Sequence, residues 1–545
     1  MTLPGCKMNP PQRRADILLC AGTVIDGTGR PRLRANVAVQ AARIAAVGDL
    51  ADWSADLTLD AAGLIVAPGF IDMHSHSDLA LLINPRAESK LRQGVTTEVI
   101  GQCGFSPAPC PQDRTQEIRP LFGSWGQYID WTWESFADYL GALRRRGTSV
   151  NVVPLVGHGI VRAGIMGQEN RAPTPSERAA MQAAVAAAME EGAFGLSTGL
   201  VYAPGMFSDT HELIAVAAAL APRRGIYFSH IRGESDALLD AVAEAIEIGR
   251  CAEVPVQIAH LKAEGRPNWG KTEAALAAID EARQTGLDIT FDAYPYTAWN
   301  TGLAQLLPSW AREGGPEALV ERLTDPDLRS NARKEIAAAA EADPGRWDRR
   351  LLASVESEAN RPLQGITMAE IAARRGLSPE DVVIDLLIEE RGQAGMVGFG
   401  MCEEDVRRAL VHPLAMIGSD AAASAPYGIL GEGHPHPRTY GTFPRVLGHY
   451  ARDENLLSLE EALAKMTSCP AAKLGLADRG RIATGLAADI VVFDPDAVAD
   501  LATYRSPHQY PAGIRWVIVN GTIELDGDTH CDQRPGRVLE RTHAC

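Results

Sequence analysis

Between Phe70 and Asp420 the chain alternates short apolar runs with alanine-rich stretches, and this alternation constrains its fold more than any other feature. Short apolar runs bounded by turn signals read as buried strands, and the stretches between them read as helices. Eight runs stand out: 70–74, 97–101, 150–156, 194–198, 226–230, 256–260, 289–293 and 416–420. Strands alternating with helices form parallel βα units, and eight such units close a (β/α)8 barrel. Helix starts are marked too. Thr174-Pro175-Ser176-Glu177 is a capping box with proline at the first helical position, ahead of an apolar-rich run to Met189. The gap between the seventh and eighth runs spans about 120 residues, more than a barrel loop needs. Residues 298–365, rich in charge and carrying Trp299, Trp310 and Trp347, read as an inserted lid subdomain.

The two ends of the chain share a different signature. Residues 1 to 14 hold three prolines without a pattern and read as a loose tail. Short β-like runs follow at 16–20, 23–25, 36–39 and 43–48, and similar runs return at 489–493 and 515–523. The expectation is therefore an α/β protein in three stretches. Residues 1–66 and 476–545 build one small β-sandwich domain, and residues 67–475 form the TIM-like barrel between them.

Composition narrows the function. At 46% hydrophobic over 545 residues the chain has ample material for a core. A net charge of -17 speaks against nucleic acid as a partner, because phosphate binding needs basic patches. Nine scattered cysteines without a CxxC pair suit reduced thiols in a cytoplasmic protein better than a disulfide scaffold. Neither a signal peptide nor an apolar stretch long enough to span a membrane is expected.

Active residues of such barrels sit at the C-terminal ends of strands. Here those ends carry His74 and His76, Cys103, His230, His260 and Asp420. In His74-Ser75-His76 the two imidazoles share one face of an extended chain, a pattern that suits a metal pair or two hydrogen-bonded loop histidines. Taken together, the four histidines, one cysteine and one aspartate make a donor set for a divalent transition metal.

With these residues in view the chain resembles the amidohydrolase superfamily, and within it the D-aminoacylases, which deacylate N-acyl-D-amino acids. The resemblance covers nearly the whole chain. It is carried by Gly69-Phe70-Ile71-Asp72 with His74 and His76, by Gly101-Gln102-Cys103-Gly104, and by the run His434 to Arg445. Gln102 departs mildly from the asparagine more usual there. The resemblance implies that Cys103, His230 and His260 hold one tight zinc ion, with His74 and His76 at a second, weaker site. It implies Asp420 as the catalytic base and acid, and Tyr202 as the phenol polarising the scissile carbonyl. It implies Arg438 and Lys262 as cations for the substrate carboxylate, helped by Tyr296. The D preference comes from the resemblance alone.

Many related barrels bridge two metals with a carboxylated lysine on the fourth strand. This chain has no lysine between Lys90 and Lys262, which excludes that bridge, and a thiolate from Cys103 can supply the negative ligand instead. His158 and Arg162 read as second-rank or packing residues. Two rivals stand beside the main reading: another amidohydrolase activity on dipeptides or cyclic amides, and a catalytically inactive scaffold.

Overall fold

The structure, a computed structural model, describes residues 13–541. Its centre is a ring of eight short strands, each wholly buried: β1 (Phe70–Asp72), β2 (Val95–Ile100), β3 (Asn151–Pro154, continued by Val156–Gly157), β4 (Gly195–Gly199), β5 (Ile226–His230), β6 (Val256–Ile258), β7 (Ile289–Ala293) and β8 (Ala415–Ile417). Neighbours pair in parallel and in chain order. Met73 N donates to Ile417 O at 3.2 Å and Asp420 N to His74 O at 2.8 Å, which joins β8 back to β1. Burial on both faces explains why these segments read as unbroken apolar runs rather than alternating ones.

Helices cover the ring. Pro175–Glu190 starts at the capping box, where Thr174 Oγ1 accepts Glu177 N at 3.2 Å and the Glu177 carboxylate accepts Thr174 N at 2.7 Å. Met181, Val185, Ala188 and Met189 form its buried stripe, at the spacing one helix face requires. Burying a side chain such as Met181 stabilises the fold by roughly 1.5–3 kcal/mol.

Both chain ends enter one nine-stranded sheet. In it Ile65–Pro68 pairs antiparallel with Ile490–Phe493, and on its other side with the start-of-chain strand Arg13–Val24. Val37, Val39 and Ile44 meet Ile490, Val492 and Ile518 in one apolar cluster, the core of the β-sandwich. The strand Trp53–Asp60 was not expected, because its exposed Asp56 and Thr58 break any apolar run. Of the expected tail, residues 1–12 lie outside the described residues, and Arg13 and Arg14 already open a strand. The C-terminal stretch then returns to the barrel, where Leu539 N donates to Val152 O on β3 at 2.8 Å.

The insertion has its own core. Ala298–Gly302, Arg350–Ser354 and Gly395–Phe399 form an antiparallel sheet. Leu303, Leu323, Ile336, Leu352, Ile371, Val383 and Met396 pack together behind it. The end expected near residue 365 therefore falls inside this unit. Helices Met368–Arg375 and Pro379–Glu389 belong to it, although their amphipathic pattern matches any barrel helix. The seven cysteines among the described residues are free thiols. No helix of the described residues is long and apolar enough to cross a membrane.

Candidate active site

Three of the residues at the strand ends hold backbone conformations that side chains seldom adopt. The φ angles of Cys103, His260 and Asp420 are 55°, 35° and 50°. Each such residue costs roughly 1–3 kcal/mol and persists only where its surroundings over-determine it. It is also why the expected strands 256–260 and 416–420 stop at Ile258 and Ile417. Gly101, at φ 79°, makes the close approach beside Cys103 feasible, since a side chain there would meet Leu155 O at 2.1 Å.

These turns aim their side chains at one point. Cys103 Sγ lies 3.3 Å from His74 Nε2, 3.5 Å from His230 Nδ1 and 3.7 Å from His260 Nε2. His260 Nε2 and His230 Nδ1 are 3.0 Å apart. Asp420 Oδ1 lies 3.0 Å from His76 Nε2 and 3.5 Å from His74 Nε2. Two donor groups result, His74-His76-Cys103-Asp420 and Cys103-His230-His260, which share the thiol. Burial pushes the Cys103 thiol up, but the charges of His74 and His230 and hydrogen bonds from His230 and His260 outweigh it and hold it well below the usual thiol range. Burial likewise opposes ionisation of Asp420, yet Arg438, His260, His76 and His74 keep its carboxyl well below the usual range. For Tyr202, burial first and the negative charge of Cys103 second raise the phenol well above its ordinary value, so it keeps its proton as a donor.

A second ring of residues holds the first. Glu234 Oε1 lies 2.9 Å from His260 Nδ1, and Oε2 lies 4.0 Å from His230 Nε2, so one carboxylate backs both imidazoles on the side away from Cys103. Asp292 on β7 accepts His260 N at 2.8 Å and lies 3.4 Å from His74 Nδ1. Asp72 on β1 accepts Ser419 N at 2.8 Å and His74 N at 3.2 Å. Lys90, fully buried, donates to Asp72 at 2.7 Å, Ser419 Oγ at 2.6 Å and Ala421 O at 2.7 Å. It thereby laces the end of β1 to the turn that carries Asp420. The sequence reading missed all four of these residues. For Asp72 and Asp292 the signal was a carboxylate inside an otherwise apolar strand, and for Glu234 its place four residues after His230.

Arg438 is buried with Nη1 2.8 Å from Asp420 Oδ2. His436 fixes it by accepting Arg438 N at 3.0 Å while its other ring nitrogen lies 3.0 Å from Ala298 O of the insertion. Tyr202 Oη is 3.0 Å from Thr301 Oγ1, and its ring lies edge-on to His230. Lys262 is placed near the centre but is occupied, with Nζ 2.5 Å from Glu234 Oε1 and donating to His260 O at 3.0 Å. Tyr296 is set apart from the group. It lines neither cavity at the centre and packs against Arg445 and His436, whereas Tyr294 lies under Arg438 at 4.7 Å. His158 and Arg162 share Glu212 at 3.0 and 3.2 Å and also line neither cavity.

The centre opens into a cavity of about 490 Å³ bordered by Cys103, Tyr202, Asp420 and Arg438, with Asn300 and Thr301 of the insertion above. The sequence pattern of the amidohydrolase family matches residues 57–523. The chain belongs to the amidohydrolase family. Inside it, the chain is 41% identical over 529 residues to the D-aminoacylase of Alcaligenes xylosoxydans xylosoxydans, covering 97% of this chain and 98% of that protein. A crystal structure of D-aminoacylase, described as defining a novel subset of amidohydrolases, matches with a TM-score of 0.81 at 40% identity, covering 97% of this chain and 100% of that one. The N-acyl-D-glutamate deacylase of Bordetella bronchiseptica, solved with zinc and a phosphonate mimic of the tetrahedral intermediate, matches with a TM-score of 0.82 at 36% identity and covers the same shares.

Proposed function

We propose that this protein hydrolyses the amide bond of N-acyl-D-amino acids, releasing a carboxylate and the free D-amino acid, with zinc as its cofactor. The observation that carries the reading is the Cys103 thiol ringed by three imidazole nitrogens, with the carboxylate of Asp420 beside them under Arg438. The similarity to D-aminoacylase and to N-acyl-D-glutamate deacylase supports the substrate class, and the D preference rests on that similarity alone.

The donor set suits zinc. A thiolate with two imidazoles is a soft, borderline set, and its potential ligand atoms lie within 4.8 Å of one another. Cys103, His230 and His260 would hold one ion, and His74, His76 and Asp420 with the shared thiol form the second group. Zinc, when bound, supplies Lewis acidity toward the carbonyl and lowers the pKa of water toward about 7.

The chain's own residues do the rest. Asp420 accepts the proton of the attacking water and returns it to the leaving amine nitrogen. Tyr202 donates its O–H to the carbonyl oxygen as negative charge builds there. Arg438 offers its planar guanidinium to the α-carboxylate and fixes the amide relative to Asp420. Lys262, tied to Glu234, steadies His260 and adds positive potential. Against a cyclic-amide hydrolase with a carboxylated lysine stands β4, Gly195-Leu196-Ser197-Thr198-Gly199, which has no lysine to carry the bridge.

The test is a panel of N-acetyl D- and L-amino acids and a hydantoin on zinc-loaded protein. Turnover of the D-series, with the L-series and the hydantoin slower by about a hundredfold or more, is expected. Equal or faster turnover of either comparison group overturns the reading.

A further inference from the structure

Ile71, Val99, Phe228 and Met416, from four strands of the barrel, pack in one apolar cluster. Three polar side chains on β6 and β7 break that pattern. Gln257 and Asp292 have no exposure to water, and Thr290 has almost none. Gln257 and Thr290 are direct neighbours in the pairing of the two strands. Thr290 and Asp292, two residues apart on β7, share a face. The three bond in series. Thr290 Oγ1 donates to Gln257 Oε1 at 2.5 Å, and Gln257 Nε2 donates to Asp292 Oδ2 at 3.0 Å. The other carboxylate oxygen, Oδ1, accepts His260 N at 2.8 Å and lies 3.4 Å from His74 Nδ1, a buried nitrogen otherwise without a partner among the described residues.

The direction of these bonds is set at the carboxylate, which accepts at both oxygens and donates at neither. Gln257 must therefore turn its NH2 group to Asp292, which leaves its Oε1 facing the Thr290 hydroxyl. By the same rule His74 carries a proton on Nδ1. The lone pair of His74 Nε2 is then free for an ion, on the side where Cys103 Sγ lies at 3.3 Å and Asp420 Oδ1 at 3.5 Å. The rings of His230 and His260 do not depend on this column, because Glu234 backs both of them.

We propose that Gln257 is a positioning residue for the ion held by His74. It fixes Asp292, and Asp292 fixes the tautomer in which His74 offers Nε2, so the donor group His74-His76-Cys103-Asp420 is completed from inside the barrel core. Thr290 acts one step further out and holds the Gln257 amide in its donating orientation. The inference rests on the zinc reading above and is independent of which amide is hydrolysed.

The test reads metal alone. Zinc-loaded parent and the Gln257→Leu, Thr290→Val and Thr290→Ser variants are dialysed against a graded series of buffered zinc concentrations, and zinc per chain is measured. The parent should show two binding steps. Gln257→Leu, which fills a similar volume without hydrogen bonds, should weaken the second step about tenfold or more and leave the first within about twofold, the size usual when the partner behind one metal ligand is lost. Thr290→Val should weaken the second step less, and Thr290→Ser, which keeps the hydroxyl, should match the parent. The two steps are compared within each variant, so a general loosening of the fold, which weakens both, does not mimic the result. Should Gln257→Leu fail to fold, the two Thr290 variants decide, and equal second steps in them overturn the inference. Equal weakening of both steps, an unchanged second step in Gln257→Leu, or a parent that binds a single ion also overturns the inference alone. A parent that holds no zinc overturns the zinc reading and this inference with it.

Discussion

At the scale of single residues, the centre separates holding an ion from moving a proton. Cys103 sits in both donor groups, whereas Asp420 belongs to one and is also held by Arg438. Cys103→Ala should therefore lose tightly bound zinc, while Asp420→Asn should keep it and lose turnover by about a hundredfold or more. Metal analysis beside steady-state kinetics checks the pair. Unchanged zinc in the first variant, or near-normal turnover in the second, contradicts the assignment. The inner residues were legible in the sequence because each interrupts an apolar run: His74, Cys103, His230, His260 and Asp420 are polar where a strand ends. Lys90 was not legible, since its role depends on distances across the barrel that no local spacing encodes, and the local signals at Glu234 and Asp292 do not name the imidazoles they hold.

At the scale of elements, the barrel's seam between β1 and β8 is fastened by charge. Lys90 reaches Asp72, Ser419 and Ala421 and lies 3.7 Å from Glu98, with no exposure to water. Lys90→Met removes the cation and strands two buried carboxylates, at a cost of roughly 3–5 kcal/mol. The expected outcome is a lower melting temperature together with weaker zinc retention, because His74 and Asp420 are positioned by that seam. An unchanged melting temperature would show the ammonium to be dispensable. The eight strands were readable because each is buried on both faces and so apolar throughout. The far boundary of the insertion was not, because its last two helices carry the same amphipathic pattern as barrel helices, and only packing against Leu303 and Leu352 assigns them.

At the scale of the whole molecule, the sandwich and the barrel meet through a buried polar knot. Asp489 accepts Asn520 N at 2.7 Å and Asn151 Nδ2 on β3 at 3.1 Å, and it pairs with Arg479. Burial raises the Asp489 pKa, and Arg479 is the main influence drawing it back down. Arg479→Met should destabilise the protein by roughly 3–5 kcal/mol near pH 7. The pH dependence follows from sign. With its partner gone, Asp489 has a folded pKa further above its unfolded one, so the folded state binds the extra proton and stability falls as pH rises between the two values. The deficit against the parent should therefore shrink as pH is lowered toward about 3, where the carboxyl is largely neutral in both states. Melting curves of parent and variant across that range measure it, and a deficit independent of pH refutes the assignment.

The pairing of Val66 with Val492 joins positions 426 residues apart (492 − 66 = 426). During synthesis Ile65–Pro68 leaves the ribosome long before its antiparallel neighbour exists, so one apolar strand edge stays uncovered until most of the polypeptide has been translated. Expression at high rate exposes many such edges at once, and slower translation or a holding chaperone during that interval lowers the chance of one nascent molecule pairing with another.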